Sequence, residues 1–399
     1  MRRRYKPPKQ YRKRFSLKTS EWGPFIKLGL VVLTVLLFIA FLLYIVFPRL
    51  MPIVGIKYRA PFVPTPTPMP TAEPTPTPHP MASFDIEQER EEVMFSDYNS
   101  YRWFSDPYFY GGQLIFAAGK LVNSNVEMQK LIVFDPVTRV SETLNISPKN
   151  DHLLFPKFND KYLVYFDAHR DGGGNIMVCD ITNGWNGRSV VIKEVFVGQP
   201  QLMLDGQYVA WTERTGSKMD KLFVCDIESR ETTVVQMFSN SPYGQSKPSL
   251  RDGVLVWADA GDVQDGIEVN STIYYIGMNE STVSTCKTST YVHDPQKVNE
   301  HWAWLDAHHS EDTNLYYMNT GEAPRKIAEG VVEFGMDEHF LAYTKNEMLY
   351  VYIYDTDEVY AVTPEHEKAQ FLGVSDGKVI WMDVTSRERD IMKFAEIPS

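Results

Sequence analysis

At five places in the chain a carboxylate follows an aromatic side chain by two residues, and this pattern has the clearest potential for chemistry. On a β-strand, alternation places the aromatic ring and the acid on the same side. If these places belong to equivalent repeats, the acids lie at equal heights and ring one mouth of the domain. Such a rim could recruit a cation, a basic peptide or a sugar. The five pairs are Tyr165/Asp167, Trp211/Glu213, Trp257/Asp259, Trp304/Asp306 and Trp381/Asp383.

The same acids have two other interpretations. A carboxylate at a strand end commonly accepts backbone hydrogen bonds in the adjoining loop, and the rim would then be structural. Alternatively, carboxylates such as Asp167, Glu213, Asp306 and Asp383 could serve a hydrolase or lyase at the mouth.

The elements that position these acids are predicted by seven tight turns at regular intervals. Each turn is followed by an apolar strand with an aromatic residue, a polar loop, a second apolar strand and a more polar strand. The intervals of about 38–48 residues are typical of four-stranded propeller blades. The turns are Gly111-Gly112, Asn159-Asp160, Asp205-Gly206, Asp252-Gly253, Asn299-Glu300, Asp337-Glu338 and Asp376-Gly377.

The repeats predict an all-β fold, a seven-bladed β-propeller of four-stranded antiparallel blades over residues 83–399. No blade can bury both of its faces alone, so radial stacking is required. The seventh unit lacks a fourth strand, which Glu91–Phe95 could supply. A six-bladed ring with an irregular first unit is the alternative.

One stretch carries a family resemblance. Asp167–Gly184 resembles the repeat of TolB-type propellers, in which a strand ends in Ser-Asp-Arg-x-Gly before an Ile-Tyr-Val-x-Asp strand. Residues that match the leading proline of that repeat are Pro156, Pro200, Pro248 and Pro295. The resemblance covers residues 100–399 and implies the propeller fold. The chain lacks the full Ser-Pro-Asp-Gly signature and the α/β domain of TolB.

The N-terminal region differs sharply from the rest in charge. Residues 1–60 hold 13 Lys and Arg but one acid, whereas the remainder holds 27 basic and 50 acidic residues. A region as acidic as the part of the chain after residue 60 should repel nucleic acid, so no nucleic-acid partner is expected.

An uncharged run, Leu28–Phe47, is long enough to span a bilayer. Ten basic residues precede it, so the positive-inside rule predicts a cytoplasmic tail over 1–24, a transmembrane signal anchor over 25–48 and an extracellular C-terminal domain. We therefore expect a single-pass plasma-membrane protein.

Residues 49–82 form a Pro/Thr-rich linker. Alternating prolines from Pro61 to Pro80 predict an extended polyproline II spacer. It resembles the Thr-Pro stalks of surface proteins from Gram-positive bacteria.

No catalytic, cofactor or metal motif is evident in the sequence. Phosphate-binding loops and zinc-ligand spacing are absent, and the three cysteines form no disulfide framework. The acidic loop 259–268 and the His308-His309 loop are interpreted as surface loops. We expect no cofactor and no metal.

These observations favour a membrane-tethered, non-catalytic binding or scaffold module for a protein, peptide or cell-envelope glycan over an enzyme. The alternative is an extracellular hydrolase or lyase with carboxylates at the propeller mouth.

Overall fold

The computed structural model of this protein describes residues 33–35, 79–80, 90–92, 101, 103–185, 187–214, 220–238, 246–260, 271–289, 291–306, 313–385 and 391–398. The predicted transmembrane segment lies outside these residues except for 33–35, which are helical. Within the described part of the chain, no helix is long and apolar enough to cross a membrane.

The described chain is built almost entirely of β-strands. In chain order they are β1 His79–Pro80, β2 Arg90–Glu92, β3 Trp103–Tyr110, β4 Gln113–Val122, β5 Asn125–Asp135, β6 Val140–Thr143, β7 His152–Phe158, β8 Tyr162–Ala168, β9 Gly174–Asp180, β10 Ser189–Val195, β11 Met203–Asp205, β12 Tyr208–Arg214, β13 Asp220–Asp226, β14 Thr232–Met237, β15 Ser249–Arg251, β16 Val254–Ala260, β17 Ser271–Gly277, β18 Ser284–Ser289, β19 Val292–Val298, β20 His301–Asp306, β21 Asn314–Asn319, β22 Arg325–Glu329, β23 Val331–Met336, β24 Phe340–Lys345, β25 Met348–Ile353, β26 Glu358–Ala361, β27 Ala369–Ser375, β28 Lys378–Asp383 and β29 Ile391–Glu396.

These strands form seven antiparallel meanders, which are the blades. Blades 1 to 6 begin at β3, β7, β11, β15, β19 and β23, and blade 7 contains β27, β28 and β29. The first strand of each blade contacts the first strand of the next, and β27 contacts β3, so the ring closes. The prediction of a seven-bladed propeller is confirmed, and the six-bladed alternative is wrong.

The N-terminal part of the domain completes the ring. Strand β2 pairs antiparallel with β29, with Glu91 opposite Phe394, and so supplies the fourth strand of blade 7. This confirms the predicted closing strand. The sequence gives no sign of β1, which adds to blade 6 as a fifth strand, parallel to β26.

The core is divided among the seven seams between adjacent blades, each filled by its own apolar cluster. The aromatic residue of every second strand packs towards the preceding blade. Trp211, Trp257, Trp304 and Trp381 are all almost completely buried there. The repeated aromatic position is therefore a packing position, and truncating one such Trp to Ala should cost about 3–5 kcal/mol.

The two ends of the ring differ in construction. We call the end with the seven predicted tight turns the turn face, and the opposite end the loop face. At Asp252-Gly253 both residues have positive φ, 54° and 70°, as a tight hairpin turn requires.

A belt of hydrogen bonds joins neighbouring blades at or near the turn face. Gly377 N donates to Asp337 Oδ2 at 3.0 Å, and Gly112 N donates to Asp376 Oδ2 at 2.8 Å across the closing seam. The other seams are joined by Tyr110 to Asp160, Asn159 to Gly206, Gly253 to Asp205, Asn299 to Asp252, and Gln296 to Phe334 and Met336.

Candidate active site at the propeller axis

The five acids of the predicted rim lie at the loop-face ends of the second strands, each in a separate seam. Asp167 is buried between blades 1 and 2. It accepts backbone hydrogen bonds from Lys149 and Asn150, both at 3.1 Å. These donors belong to the loop that precedes β7, so Asp167 fixes the path of the chain between two blades.

Three other acids of the set also have hydrogen-bond or ion-pair partners within the protein. Asp259 accepts a hydrogen bond from Gln236 Nε2 at 2.9 Å, and Asp306 accepts one from Ser289 Oγ at 2.9 Å. Asp383 lies 2.7 Å from Lys393 Nζ. Burial opposes ionisation of Asp383, but hydrogen bonds from Lys393 and Thr385 hold its pKa below the usual value.

Glu213 differs from the other four. It is 6% exposed, and its buried Oε2 atom has no hydrogen-bond partner among the described residues. The strand register places it opposite Lys221 on β13. Among the contacts of the described residues, none joins one of the five acids to another. A binding role for the rim therefore stays a prediction.

Two loops considered as metal sites on sequence grounds, 259–268 and 306–312, lie outside the described residues except for their first positions. Among the residues that are described, no group of three or more His, Cys, Asp or Glu side chains could hold a metal ion.

A different set of polar residues lies at the propeller axis, on the first strands of blades 1 and 2. Strand β3 carries a bulge between Ser105 and Tyr108, where Asp106 has a φ of 54° before a proline. The bulge displaces Asp106 from the strand alternation. Its Oδ2 accepts the N–H of Phe155 on β7 at 3.2 Å.

The side chain of Lys157 lies beside this group. Its Nζ is 4.4 Å from the ring centroid of Tyr108, which the aromatic face favours. Among the described residues, no carboxylate lies within ion-pair distance of this ammonium. Lys157 is held by an aromatic ring rather than by a salt bridge.

Burial shifts the pKa values of Asp106 and Lys157 towards each other. Burial raises the pKa of Asp106, against the Phe155 hydrogen bond and the charge of Lys157. Burial lowers the pKa of Lys157 to about 8, although Asp106 opposes the change. Burial therefore disfavours the charged form of both residues.

Charges from several blades act on the Tyr108 phenol. Burial raises its pKa to about 12; Arg251 of blade 4 lowers it, whereas Asp205 of blade 3 and Asp376 of blade 7 raise it. These charged side chains lie on, or directly after, the first strands of their blades, which line the axis. We call Asp106, Tyr108 and Lys157 the axial group.

The opposite side of the axis is built differently, because its charges are paired. Arg251 donates to the carbonyl of Met336 at 2.8 Å and lies 3.5 Å from Asp337. Lys247 Nζ lies 3.2 Å from Glu333. These bonds join blade 4 to blade 6 across blade 5, so they brace the ring.

The axial group has the chemistry of proton transfer. A lysine that is partly neutral near pH 8 can act as a general base or nucleophile. A carboxyl group with a raised pKa can hold and return a proton, and a neutral phenol can donate a hydrogen bond.

The sequence interpretation missed this group, although one signal was present. Lys157 is a charged residue inside the otherwise apolar segment Leu153–Phe158, and it does not recur in the other units. A search for repeated residues passes over a residue that occurs in one unit alone.

Comparison with known proteins supports the fold. No family model and no curated protein sequence matches this chain. Among solved structures, the chain is similar to the β-propeller domain of the Trilobed protease from Pyrococcus furiosus, with 14% identity, a TM-score of 0.57 and coverage of 75% of this chain and 96% of that one.

Two further structures are enzymes. An oligogalacturonate lyase in complex with manganese has 14% identity, a TM-score of 0.51 and coverage of 75% of this chain and 90% of that one. The acylaminoacyl peptidase of Pyrococcus horikoshii has 13% identity, a TM-score of 0.53 and coverage of 72% and 50%. This chain therefore spans about half the length of that peptidase.

The sequence-based preference for a non-catalytic binding or scaffold module was wrong. The similar structures include the propellers of a protease, a lyase and a peptidase, so a chain with this fold and without a recognisable catalytic motif cannot be assigned as non-catalytic. The preference relied on missing catalytic motifs, and a site assembled from several blades leaves no contiguous motif. At 13–14% identity the likeness establishes the fold alone.

Proposed function

We propose that this protein is a membrane-tethered extracellular hydrolase or lyase that performs proton transfer at the propeller axis. The observation that carries the proposal is the Asp106–Lys157 pair, whose pKa values are displaced towards each other. Residues with perturbed pKa values in a concave site are the usual candidates for acid and base catalysts.

In this proposal each member of the axial group has one role. Neutral Lys157 takes a proton from the substrate or from an attacking water. Protonated Asp106 supplies a proton to the leaving group, and the Tyr108 hydroxyl donates a hydrogen bond to developing negative charge.

One of the similar structures supports carbohydrate cleavage, because it is an oligogalacturonate lyase of which this chain covers 90%. The one Gly-x-Ser-x-Gly match in the sequence, Gly373–Gly377, is a strand end followed by a tight turn, and Ser375 Oγ accepts the N–H of Phe109 there, so it does not form the exposed nucleophile of a serine hydrolase. We therefore place a cell-envelope polysaccharide ahead of a peptide as substrate.

The cellular setting is part of the same proposal. The uncharged Leu28–Phe47 run and the basic residues before it support a single-pass plasma-membrane anchor with an extracellular propeller. The Pro/Thr-rich linker supports a spacer between the two. Membership of the TolB-type repeat class and a Gram-positive source remain predictions from the sequence.

The test uses the full chain, purified in detergent, with a panel of polygalacturonate, a neutral cell-wall polysaccharide and a peptide mixture. An elimination product absorbs ultraviolet light through its new carbon–carbon double bond. Hydrolysis of a polysaccharide gives new reducing ends without that absorbance, and peptide hydrolysis gives new amines. We expect one of the first two signals.

The variant Lys157→Met separates an axial site from an adventitious activity. Lys161→Met is the matched control, because Lys161 lies four residues away and pairs on the surface with Glu228. The proposal is refuted if no member of the panel is cleaved, or if Lys157→Met cleaves as fast as Lys161→Met.

A further inference from the structure

The outer strands of the blades differ in how their free edges are protected. An edge strand presents unpaired N–H and C=O groups, and soluble proteins normally protect such an edge with charges, a proline, a bulge or a covering strand. In blade 6 the edge of β26 is covered by β1, and in blade 7 the outer strand β2 carries Arg90, Glu91 and Glu92.

The other blades show one exception. Strands β6, β10, β18 and β22 each contain at least one charged residue. Strand β14 of blade 3, with the sequence Thr-Thr-Val-Val-Gln-Met, contains none. Among the described strands it is the one outer strand that lacks both a charge and a covering strand.

The side chains of β14 are also open to solvent and suited to strand pairing. Val234 and Met237 are 44% and 54% exposed, and Thr232 and Thr233 are exposed as well. β-Branched residues favour extended pairing. A bulge in β14 at Val235 does not distinguish it, because β18 has the same irregularity at Cys286.

We infer that the β14 edge, Thr232–Met237, pairs with the same edge of a second copy of this chain. Two identical strands related by a two-fold axis pair antiparallel, which makes the contact self-complementary. The edge brings no like charges opposite each other. This matters because residues 61–399 carry 50 acidic and 27 basic residues, so two copies repel each other over most of their surfaces.

The structure itself shows that an outer edge of this propeller accepts an added strand, because β1 pairs with Tyr360 and Ala361 of β26. The inference is independent of the proposed enzymatic function, since β14 lies at the rim of blade 3 and the axial group lies on the first strands of blades 1 and 2.

The test measures the protein mass of the full chain in detergent micelles by light scattering at micromolar concentration. We expect a dimer for the wild type and a monomer for Val234→Lys. The matched control is Thr285→Lys on β18, because Val234 pairs with Phe223 and Thr285 pairs with the equivalent residue, Tyr274. This control should remain dimeric.

Circular dichroism reports whether each variant is folded, and Thr232→Lys replaces Val234→Lys if the latter is not. A monomeric wild type overturns the inference, whether or not the edge then binds a foreign peptide. A dimer that survives Val234→Lys and Thr232→Lys overturns it too, as does an equal loss of dimer in Thr285→Lys.

Discussion

The seams and the axis of this propeller use carboxylates in opposite ways. In the seams, Asp167 and Asp383 accept hydrogen bonds from the adjoining loop and from Lys393, and these bonds join neighbouring strands and blades. At the axis, Asp106 lies near Lys157 without a salt bridge, and burial makes ionisation of both residues less favourable. In the seams the charges stabilise the fold, whereas at the axis burial disfavours the charged forms of the carboxyl group and the ammonium.

The comparison indicates that a residue type repeated at equivalent positions of several blades serves the stability of the fold. The acid at the end of the second strand recurs in five blades, and four of its five members have hydrogen-bond partners within the protein. Lys157 occurs in one blade. If this distinction is right, changes in the seams should alter stability and changes at the axis should alter activity.

The largest effect is expected for Lys157→Met. Loss of a general acid or base lowers the rate by roughly 10²–10⁴-fold. The initial rate at pH 8 on whichever polysaccharide of the panel is cleaved measures this, with Lys161→Met as the control. Stability should not fall, because the change removes a partly buried ammonium whose charged form is disfavoured by desolvation; a large loss of stability would assign Lys157 to the scaffold.

The next largest effect is a loss of stability expected for Lys393→Met, in the seam that contains Asp383. Lys393 Nζ lies 2.7 Å from Asp383 and 3.1 Å from Glu367, and Trp381 also donates to Glu367. Lys393→Met leaves two carboxylates without their cation, which should lower the free energy of unfolding by about 3–5 kcal/mol.

Urea denaturation measures this change in the full chain. The control is Lys368→Met, since Lys368 is more than half exposed and pairs with the exposed Glu347, a contact that contributes only about 0–1 kcal/mol. Equal losses in the two variants would contradict the account of the seam.

Asp167→Ala should have a smaller effect on stability and none on rate. The change leaves the N–H groups of Lys149 and Asn150 without their acceptor, which should cost about 1–3 kcal/mol. Denaturation and the initial rate are measured on the same preparation. A loss of rate in a fully folded variant would return Asp167 to the list of candidate catalytic or binding residues.

The fold could be predicted from the sequence to a large extent, because each propeller blade repeats the same turn and strand pattern at a regular interval along the chain. The seven turns, the strand-two aromatics and the closing strand near Glu91 were all predicted. The tight turn at Asp252-Gly253 has the positive φ values that its sequence requires.

The axial group could not be predicted, because Asp106 and Lys157 are brought together by ring closure around the axis, not by proximity in the chain. The bulge at Asp106, which breaks the strand alternation, further hides its direction from pattern analysis. Strand β1 was missed because a proline-rich segment reads as a spacer.

A pH effect follows from Asp383. Its pKa in the folded protein lies below the usual value, so the stability it contributes is present above the unfolded pKa of about 3.9 and is lost as the pH falls through the lower, folded pKa. We expect Asp383→Asn to show a flatter loss of stability than the wild type below pH about 4. Thermal unfolding across that range measures it, and identical pH profiles would contradict it.

The smallest effect is expected at the turn face. Asp205→Ala removes the acceptor for the N–H of Gly253 in one seam of the belt and should cost about 0.5–1.5 kcal/mol. The other six links remain, so the ring should stay closed. Denaturation of this variant gives the contribution of one link, and complete unfolding would mean that the belt acts as a unit.

The most direct test of the axial group is the pKa of Lys157 in the folded protein. NMR of ¹³C-methylated lysines follows each ammonium through its titration, and Lys157→Met identifies the signal. A midpoint at about 8 is the expected result, well below the usual 10.5 of a lysine. A midpoint near 10.5 would show that Lys157 is an ordinary charged lysine and would contradict the proposed role of the axis in proton transfer.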